Sequence, residues 1–301
     1  MMALASASEP LRAANRLANH TLYEWFLLSE DGGIITSSSG FETRTVAISD
    51  APRLDRLFVV ASLDIESKRP KRILQYLQKL AVTGMPLGAL STGTFILARA
   101  GLLVGKRCTL HWEAMNQFAE EFPDIEVTRD LYVRDGSRWT CGGGTAAIDL
   151  MLAQISGDHG AQLAADTAEQ FLHTRIRGPE EHQRMAIQWR YDIHDARLAS
   201  AIAIMEQNLE YVVPIDDVAK QSGLSTRQLE RLWHHHFKMT PQRFYLNARL
   251  NEARRLIRES SEAIAAIALR CGFVSASHLG SAYRRLFCCT PSDERRKSDR
   301  A

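Results

Sequence analysis

Two segments near the C-terminus share one pattern, and that pattern fixes what they fold into. One reads IDDVAKQSGLSTRQLERLW (Ile215–Trp233). The other reads IAAIALRCGFVSASHL (Ile264–Leu279) and continues to Phe287. In each, a short apolar-periodic run ends in Gly, and a Ser opens a second run a few residues later. Gly accepts the left-handed backbone that ends a helix, and a Ser side chain satisfies free amides at the start of the next. The pattern predicts two helix-turn-helix units in tandem. A long helix, Pro241–Glu259, with Pro in its first turn, joins them. Phe244, Leu246, Leu250, Ala253 and Leu256 along it are placed to hold the units in fixed register, at a spacing of about 34 Å, one turn of duplex. Two such units can enter two major-groove segments on one face, so double-stranded DNA is the expected partner.

The outward positions follow from helical spacing. In the first unit Ser225 caps the recognition helix with Gln228 at the capping-box position. Leu229, Leu232, Trp233 and Phe237 form its buried stripe, which leaves Thr226, Arg227, Gln228, Arg231 and His235 facing DNA. Arg pairs with guanine O6/N7 and Gln with adenine N6/N7, so Arg227, Gln228 and Arg231 are the candidate base readers. A phosphate contact is an equal alternative for Arg231. The second recognition helix starts near Ser275 or Ser277. It presents Ser275, Ser277, His278 and Ser281, with Arg284 and Arg285 toward its end; Ser275, Ser277, His278 and Arg284 are the expected DNA contacts. The run His234-His235-His236 does not predict a metal site, because adjacent helical residues point about 100° apart.

Charge supports a polyanion partner only modestly. Residues 195–301 hold 17 Lys and Arg against 12 Asp and Glu, net +5, and the remainder is 20 against 23, net −3. No apolar run reaches the roughly 18 residues of a membrane span, and the N-terminus lacks the basic start and long apolar core expected of a signal peptide. The five cysteines include no C-x-x-C pair. The expectation is a cytoplasmic protein without metal or cofactor.

The first two-thirds alternates strand and helix patterns, which implies a parallel sheet sandwiched by helices. Expected elements are a helix over Ala3–Leu17, a strand over Tyr23–Leu28 followed by the turn Asp31-Gly32-Gly33, and a buried-type strand Leu57–Ala61. A helix over Ile73–Leu80 and a strand Pro86–Leu90 come next. That strand turns into a helix from Thr94 to Ala100. A strand Trp139–Cys141 then meets Gly142-Gly143-Gly144 before a helix from Thr145.

The junction GALSTGTF (Gly88–Phe95) is the chemically suggestive point. A strand turning sharply into a helix exposes one residue, here Ser91, beside amides that favour an anion. His111 lies further on, so a Ser/His nucleophile pair is one reading. The elbow is one Gly short of G-x-S-x-G, however, and spacing identifies no acidic third member. A ligand pocket is preferred over catalysis and over a purely structural turn. Trp112 and Glu113 set an aromatic face beside a carboxylate, which suits a cationic ligand, especially a quaternary ammonium. Gly143 and Gly144 let backbone approach closely, and the helix that follows can hold a carboxylate. The candidate effector site is therefore Ser91, Thr92, His111, Trp112, Glu113, Gly143 and Gly144.

These segments also resemble a known family. Gly88–Met115 and Trp139–Leu152 look like the PfpI-like domain of AraC/XylS-type transcription regulators, a domain related to class I glutamine amidotransferases. RLNEARRLI (Arg249–Ile257) and CGFVSASHL (Cys271–Leu279) look like the AraC-type DNA-binding domain. The phrases EPLRAAN (Glu9–Asn15), TLHWE (Thr109–Glu113), EQFLHTRIR (Glu169–Arg177) and EEHQR (Glu180–Arg184) are most similar to regulators of glycine betaine, carnitine and arginine catabolism. The resemblance implies a flavodoxin-like α/β sandwich over residues 1–173, a linker over 174–195 that breaks at Gly178-Pro179, and an all-α DNA-binding domain over 196–301. It implies a small amine or amino-acid-derived effector, and a regulator, as an activator engaging RNA polymerase, that forms a homodimer. Enzymatic relatives carry Cys at the elbow where this chain has Ser91, which favours binding over catalysis. The alternative is a Ser/His hydrolase or amidase with a DNA-binding appendage.

Five further departures from the family carry expectations of their own. The family has an apolar strand before the first helix, and here Met1-Met2-Ala3 already lies inside that helix, so the sheet is expected to lack its first strand and the natural start to lie upstream. Lys238 and Cys288 replace C-cap glycines, Gly280 falls within the second recognition helix, and Glu294 stands where the family has Tyr. The second unit is expected to be the weaker reader.

Overall fold

The computed structural model describes residues 1–62, 65, 70–260 and 262–298, and it divides into two compact units, Met1–Arg184 and Met185–Ala301.

The first unit is a three-layer α/β sandwich. Its helix α1 (Met2–Ala18) precedes a small sheet of β1 (Leu28–Ser29), β2 (Asp31–Thr36) and β3 (Glu42–Ala47), ordered β1-β3-β2. The central sheet contains β4 (Leu57–Ala61) and, after α2 (Lys71–Val82), β5 (Leu87–Ser91). Next come α3 (Thr94–Arg99), β6 (Arg107–Cys108), α4 (Met115–Glu121) and β7 (Glu126–Val127). The sheet is completed by β8 (Tyr132–Asp135) and β9 (Arg138–Cys141), and α5 (Ala146–His159) and α6 (Ala161–Gln170) follow. The order is β4-β5-β9-β8, with β4, β5 and β9 parallel and β8 antiparallel to β9.

Strand β5 shows why the sequence builds this sandwich. Its residues alternate between two cores, as a pleated strand buried on both faces must. Leu87 and Ala89 join Leu77, Phe95 and Phe118 on the side of α2, α3 and α4. Leu90 joins Trp139, Cys141, Leu150 and Met151 on the side of α1 and α5. The β4 run LFVVA was expected to be buried. It is an edge strand instead, with four residues partly covered and Val60 41% exposed, because among the described strands it pairs only with β5.

Two expected elements differ. Tyr23–Leu28 is not a strand: only Leu28 and Ser29 pair, in parallel with Val46 and Ala47. The start of the segment is held by the Asn15 carboxamide of α1, which accepts from Leu22 and Tyr23 N–H at 2.8 and 2.9 Å and donates to Tyr23 C=O at 2.7 Å. Asp31-Gly32-Gly33 is not a turn but the start of β2, paired antiparallel with β3 from Asp31↔Ala47 to Thr36↔Glu42.

The second unit is all helical: α7 (Ile187–Tyr191), α8 (Ala196–Gln207), α9 (Ile215–Gln221), α10 (Thr226–Phe237), α11 (Pro241–Glu259), α12 (Ile264–Arg270), α13 (Ala276–Phe287) and α14 (Pro291–Ser298). It has two cores. Leu198, Ile202, Val218, Leu229 and Trp233 form one, and Ile267, Phe273, Leu279 and Tyr283 belong to the other. Helix α11 enters both, through Phe244 and Tyr245 in the first and Leu250, Ala253 and Leu256 in the second, which ties the two helix pairs to one rod.

Chain 174–195, expected as a linker, carries the short helix α7 and is otherwise turns and irregular chain. Residues up to Arg184 belong to the first unit and α7 lies in the second.

Candidate DNA interface and effector site

In the first helix-turn-helix unit, α9 and α10 are joined through Ser222–Ser225. The capping box is complete: Ser225 Oγ accepts from Gln228 N–H at 3.3 Å, and Gln228 Oε1 accepts from Ser225 N–H at 2.9 Å. This places Arg227, Gln228, Arg231 and His235 on the exposed face of α10, with Leu229 and Trp233 buried beneath. Two proposed contacts already have work inside the fold. The Thr226 hydroxyl donates to Asp216 Oδ1 at 2.7 Å, and the Gln228 carbonyl oxygen is held in the cap. Arg227 and Arg231 have no hydrogen-bond or ion-pair partner among the described residues, and both side chains are exposed.

In the second unit Ser275 is the N-cap of α13, its Oγ accepting from His278 N–H at 3.1 Å. Ser277, His278, Ser281, Arg284 and Arg285 lie exposed along one face. The His278 ring rests edge-on against Phe273 with centroids 5.4 Å apart. The turn before α13 requires glycine at Gly272. Its φ is +71°, and a Cβ there would meet Leu209 O at 2.6 Å and Glu210 O at 2.8 Å. Arg249 of α11 fastens the same turn, donating through Nε to Cys271 C=O at 2.7 Å and stacking on Phe273 at 4.3 Å.

Sequence reasoning missed the role of Glu294. This α14 carboxylate is 4% exposed and accepts from Arg258 Nε at 2.6 Å, Arg254 Nη2 at 3.2 Å and Cys289 Sγ at 3.1 Å. Burial alone raises this carboxyl. Hydrogen bonds from Cys289, Arg258 and Arg254 outweigh that and hold it at about 2. It thereby clamps α14 to α11. The sequence marks Glu294 only as a residue standing where the family has Tyr, amid an arginine-rich end.

In the first unit the elbow is as the sequence suggested. Ser91 ends β5 with φ +58°, a conformation a non-glycine residue holds only under constraint from its surroundings. Thr92 is buried and its hydroxyl donates to Ser62 C=O. Gly143 packs against the elbow: a Cβ on it would lie 2.5 Å from Ser91 Cβ. Gly144, with φ +55°, leads to Thr145, the N-cap residue of α5. The β5–α3 and β9–α5 junctions thus bring Ser91, Thr92 and Gly143 together.

The remaining members come from the segment after β6. His111 Nδ1 faces Glu113 Oε2 at 3.5 Å, and the His111 and Trp112 rings are 5.7 Å apart. Trp112 is 38% exposed, and the Arg184 guanidinium lies 4.4 Å from its ring centroid. Gln183 reaches into the same region, its Nε2 lying 2.9 Å from each of three acceptors, Thr109 Oγ1, Leu110 C=O and Asp130 C=O, which share its two N–H groups. A Cβ on Gly142 would meet the Gln183 carboxamide at 2.6 Å, so Gln183 covers that glycine. Neither Gln183 nor Arg184 was singled out from sequence; the phrase EEHQR drew notice only as a family resemblance.

A nucleophilic reading finds little geometry. Ser91 Oγ has no hydrogen-bond partner among the described residues. Burial pushes the nearby Cys141 thiol up to about 12, so it stays protonated at neutral pH.

These features define a tandem helix-turn-helix DNA-binding protein joined to an α/β unit of the DJ-1/PfpI type. The helix-turn-helix domain family matches residues 218–297 and the DJ-1/PfpI family residues 20–156. The HTH-type transcriptional regulator CdhR of Pseudomonas aeruginosa is 41% identical over 98% of this chain and 88% of its own length. The regulator GbdR of the same species is 39% identical over 98% and 81%. The crystal structure of an AraC family transcriptional regulator from Pseudomonas putida superposes with a TM-score of 0.53 at 28% identity, covering 57% of this chain and 92% of that one. The chain belongs to the AraC-family transcriptional regulators that carry an N-terminal DJ-1/PfpI domain. Among its described residues no helix is long and apolar enough to cross a membrane.

Proposed function

We propose that this DNA-binding regulator is an effector-responsive transcription activator, and that its α/β unit binds a small amine or amino-acid derivative such as a betaine, carnitine or arginine. The effector residues are Ser91, Thr92, His111, Trp112, Glu113, Gly143 and Gly144. The DNA contacts are Thr226, Arg227, Gln228, Arg231 and His235 in the first unit and Ser275, Ser277, His278 and Arg284 in the second. The observation that carries the effector class is the Trp112 ring, which sits beside Glu113 and already has a guanidinium over its face. A ring that holds one organic cation suits another. As an activator the protein engages RNA polymerase, and it acts as a homodimer.

Binding without turnover is the reading favoured at the elbow, because Ser91 Oγ lacks a hydrogen-bonded base. The strained φ of Ser91 is the one observation that favours the rival hydrolase. Ser91→Ala separates them. DNA binding survives in both cases. Any amidase or esterase turnover lost with Ser91→Ala establishes the enzyme, whereas an unchanged null rate with an altered effector affinity establishes the sensor.

A further inference from the structure

The segment from His173 to Arg184 is fastened across the first unit by several groups. His173 Nε2 and the Arg177 backbone N–H and guanidinium all reach Asp149, a carboxylate of α5 with no exposed surface; the closest of these contacts is 2.6 Å from Arg177 Nη2. Arg177 Nη2 also donates to Thr145 Oγ1 at 3.1 Å, at the start of α5. Pro179 C=O accepts from Leu131 N–H at 2.8 Å, and His182 bridges Asp130. Gln183 then covers Gly142, and Arg184 lies on Trp112. This strap therefore touches both parts of the proposed effector site, the α5 start and the Trp112 face. Three residues after Arg184, α7 of the DNA-binding unit begins.

We propose that Arg184 is an internal ligand: its guanidinium occupies the Trp112 face that the effector's cationic group takes, so effector binding and docking of the strap exclude each other. The inference rests on the effector site proposed above and adds how that site is read out. Its chemistry is a competition between two cations for one ring. The Arg184 contact is the displaceable one, since Trp112 is 38% exposed and Arg184 itself is exposed, while Asp149 anchors the other end in the core. By reciprocity, whatever factor Arg184 costs the effector, the effector costs the strap. A cation over an exposed aromatic face sets that factor at about 2- to 5-fold.

The test is amide hydrogen exchange over residues 179–186 in the full chain, first without ligand. Exchange should rise about 2- to 5-fold in Arg184→Gln and in Trp112→Leu. It should also rise in Gly142→Ala, whose new Cβ drives the flexible end of Gln183 away by a separate route. Tetramethylammonium, against sodium chloride at equal ionic strength, should speed exchange in the wild type and leave Arg184→Gln unchanged. No change in either Arg184→Gln or Trp112→Leu overturns the proposal, as does an equal tetramethylammonium response in wild type and Arg184→Gln. Calorimetry with glycine betaine, carnitine and arginine keeps the two readings apart. An amine bound about 2- to 5-fold tighter by Arg184→Gln supports both. Equal affinity overturns the competition and leaves the effector reading standing. If no amine binds either protein, the effector class falls, and the exchange results still decide whether Arg184 is a displaceable cation on Trp112.

Discussion

Glu294→Gln should weaken the second unit by about 2 to 3 kcal/mol at pH 7, and the deficit should vanish in acid. The carboxylate is held at about 2 in the fold against 4.5 as its ordinary value. A difference of that size is worth up to about 3 kcal/mol. Glu294 is itself 5% exposed, so little solvent screening intervenes on its side, whereas Arg254 and Arg258 are 34% and 46% exposed, which lowers the figure somewhat. Because the folded value is depressed, the stabilisation is complete above the ordinary carboxylate range and is lost as pH falls through it toward 2. The wild type should lose about 1 kcal/mol of this contribution by pH 4 and about 2 kcal/mol by pH 3. The assay is urea unfolding of the full chain at several pH values, with amide exchange at α11 and α14 assigning the transition to the second unit. A gap between wild type and Glu294→Gln that stays constant from pH 7 to 3, or that is absent at pH 7, would refute the reasoning.

The second recognition helix offers two further changes. Gly280→Ala should stabilise by about 1 kcal/mol, since Gly is the poorer helix former and a Cβ there meets nothing within 4 Å. Cys288→Gly should stabilise by about 1 kcal/mol by relieving a left-handed non-glycine at φ +57°. Thermal melts of the full chain check both. For DNA, Arg227→Ala should weaken specific binding more than Ser277→Ala, by about 1 to 3 kcal/mol if Arg227 reads a guanine. Anisotropy at fixed salt measures it, and an equal or larger loss at Ser277 counts against the ranking.

How much of this could be read from sequence depended on how local the cause was. The helix-turn-helix units were legible because cap, Gly and apolar period lie within one stretch; Ser225, Gln228 and the Pro241–Glu259 rod appear where spacing put them. The Ser91 elbow was legible for the same reason. What failed depended on partners far along the chain. Tyr23–Leu28 has strand composition, but Asn15 holds its first residue and only Leu28 pairs. Gly32-Gly33 reads as a turn, yet pairing with β3 draws it into a strand. The cation on Trp112 was invisible because Arg184 follows it by 72 positions and no periodicity links them. The same holds for Glu294, whose arginine partners Arg254 and Arg258 lie 40 and 36 positions earlier on α11.

The central claim is that a small amine alters sequence-specific DNA binding by this chain. The most direct measurement is fluorescence anisotropy on DNA from upstream of its own and neighbouring operons, at about 150 mM salt with competitor DNA. It is run with and without glycine betaine, carnitine and arginine. The account predicts specific binding whose affinity or stoichiometry changes with one of these compounds and not with the others' neutral analogues. Weak, sequence-blind binding that no amine alters would contradict it.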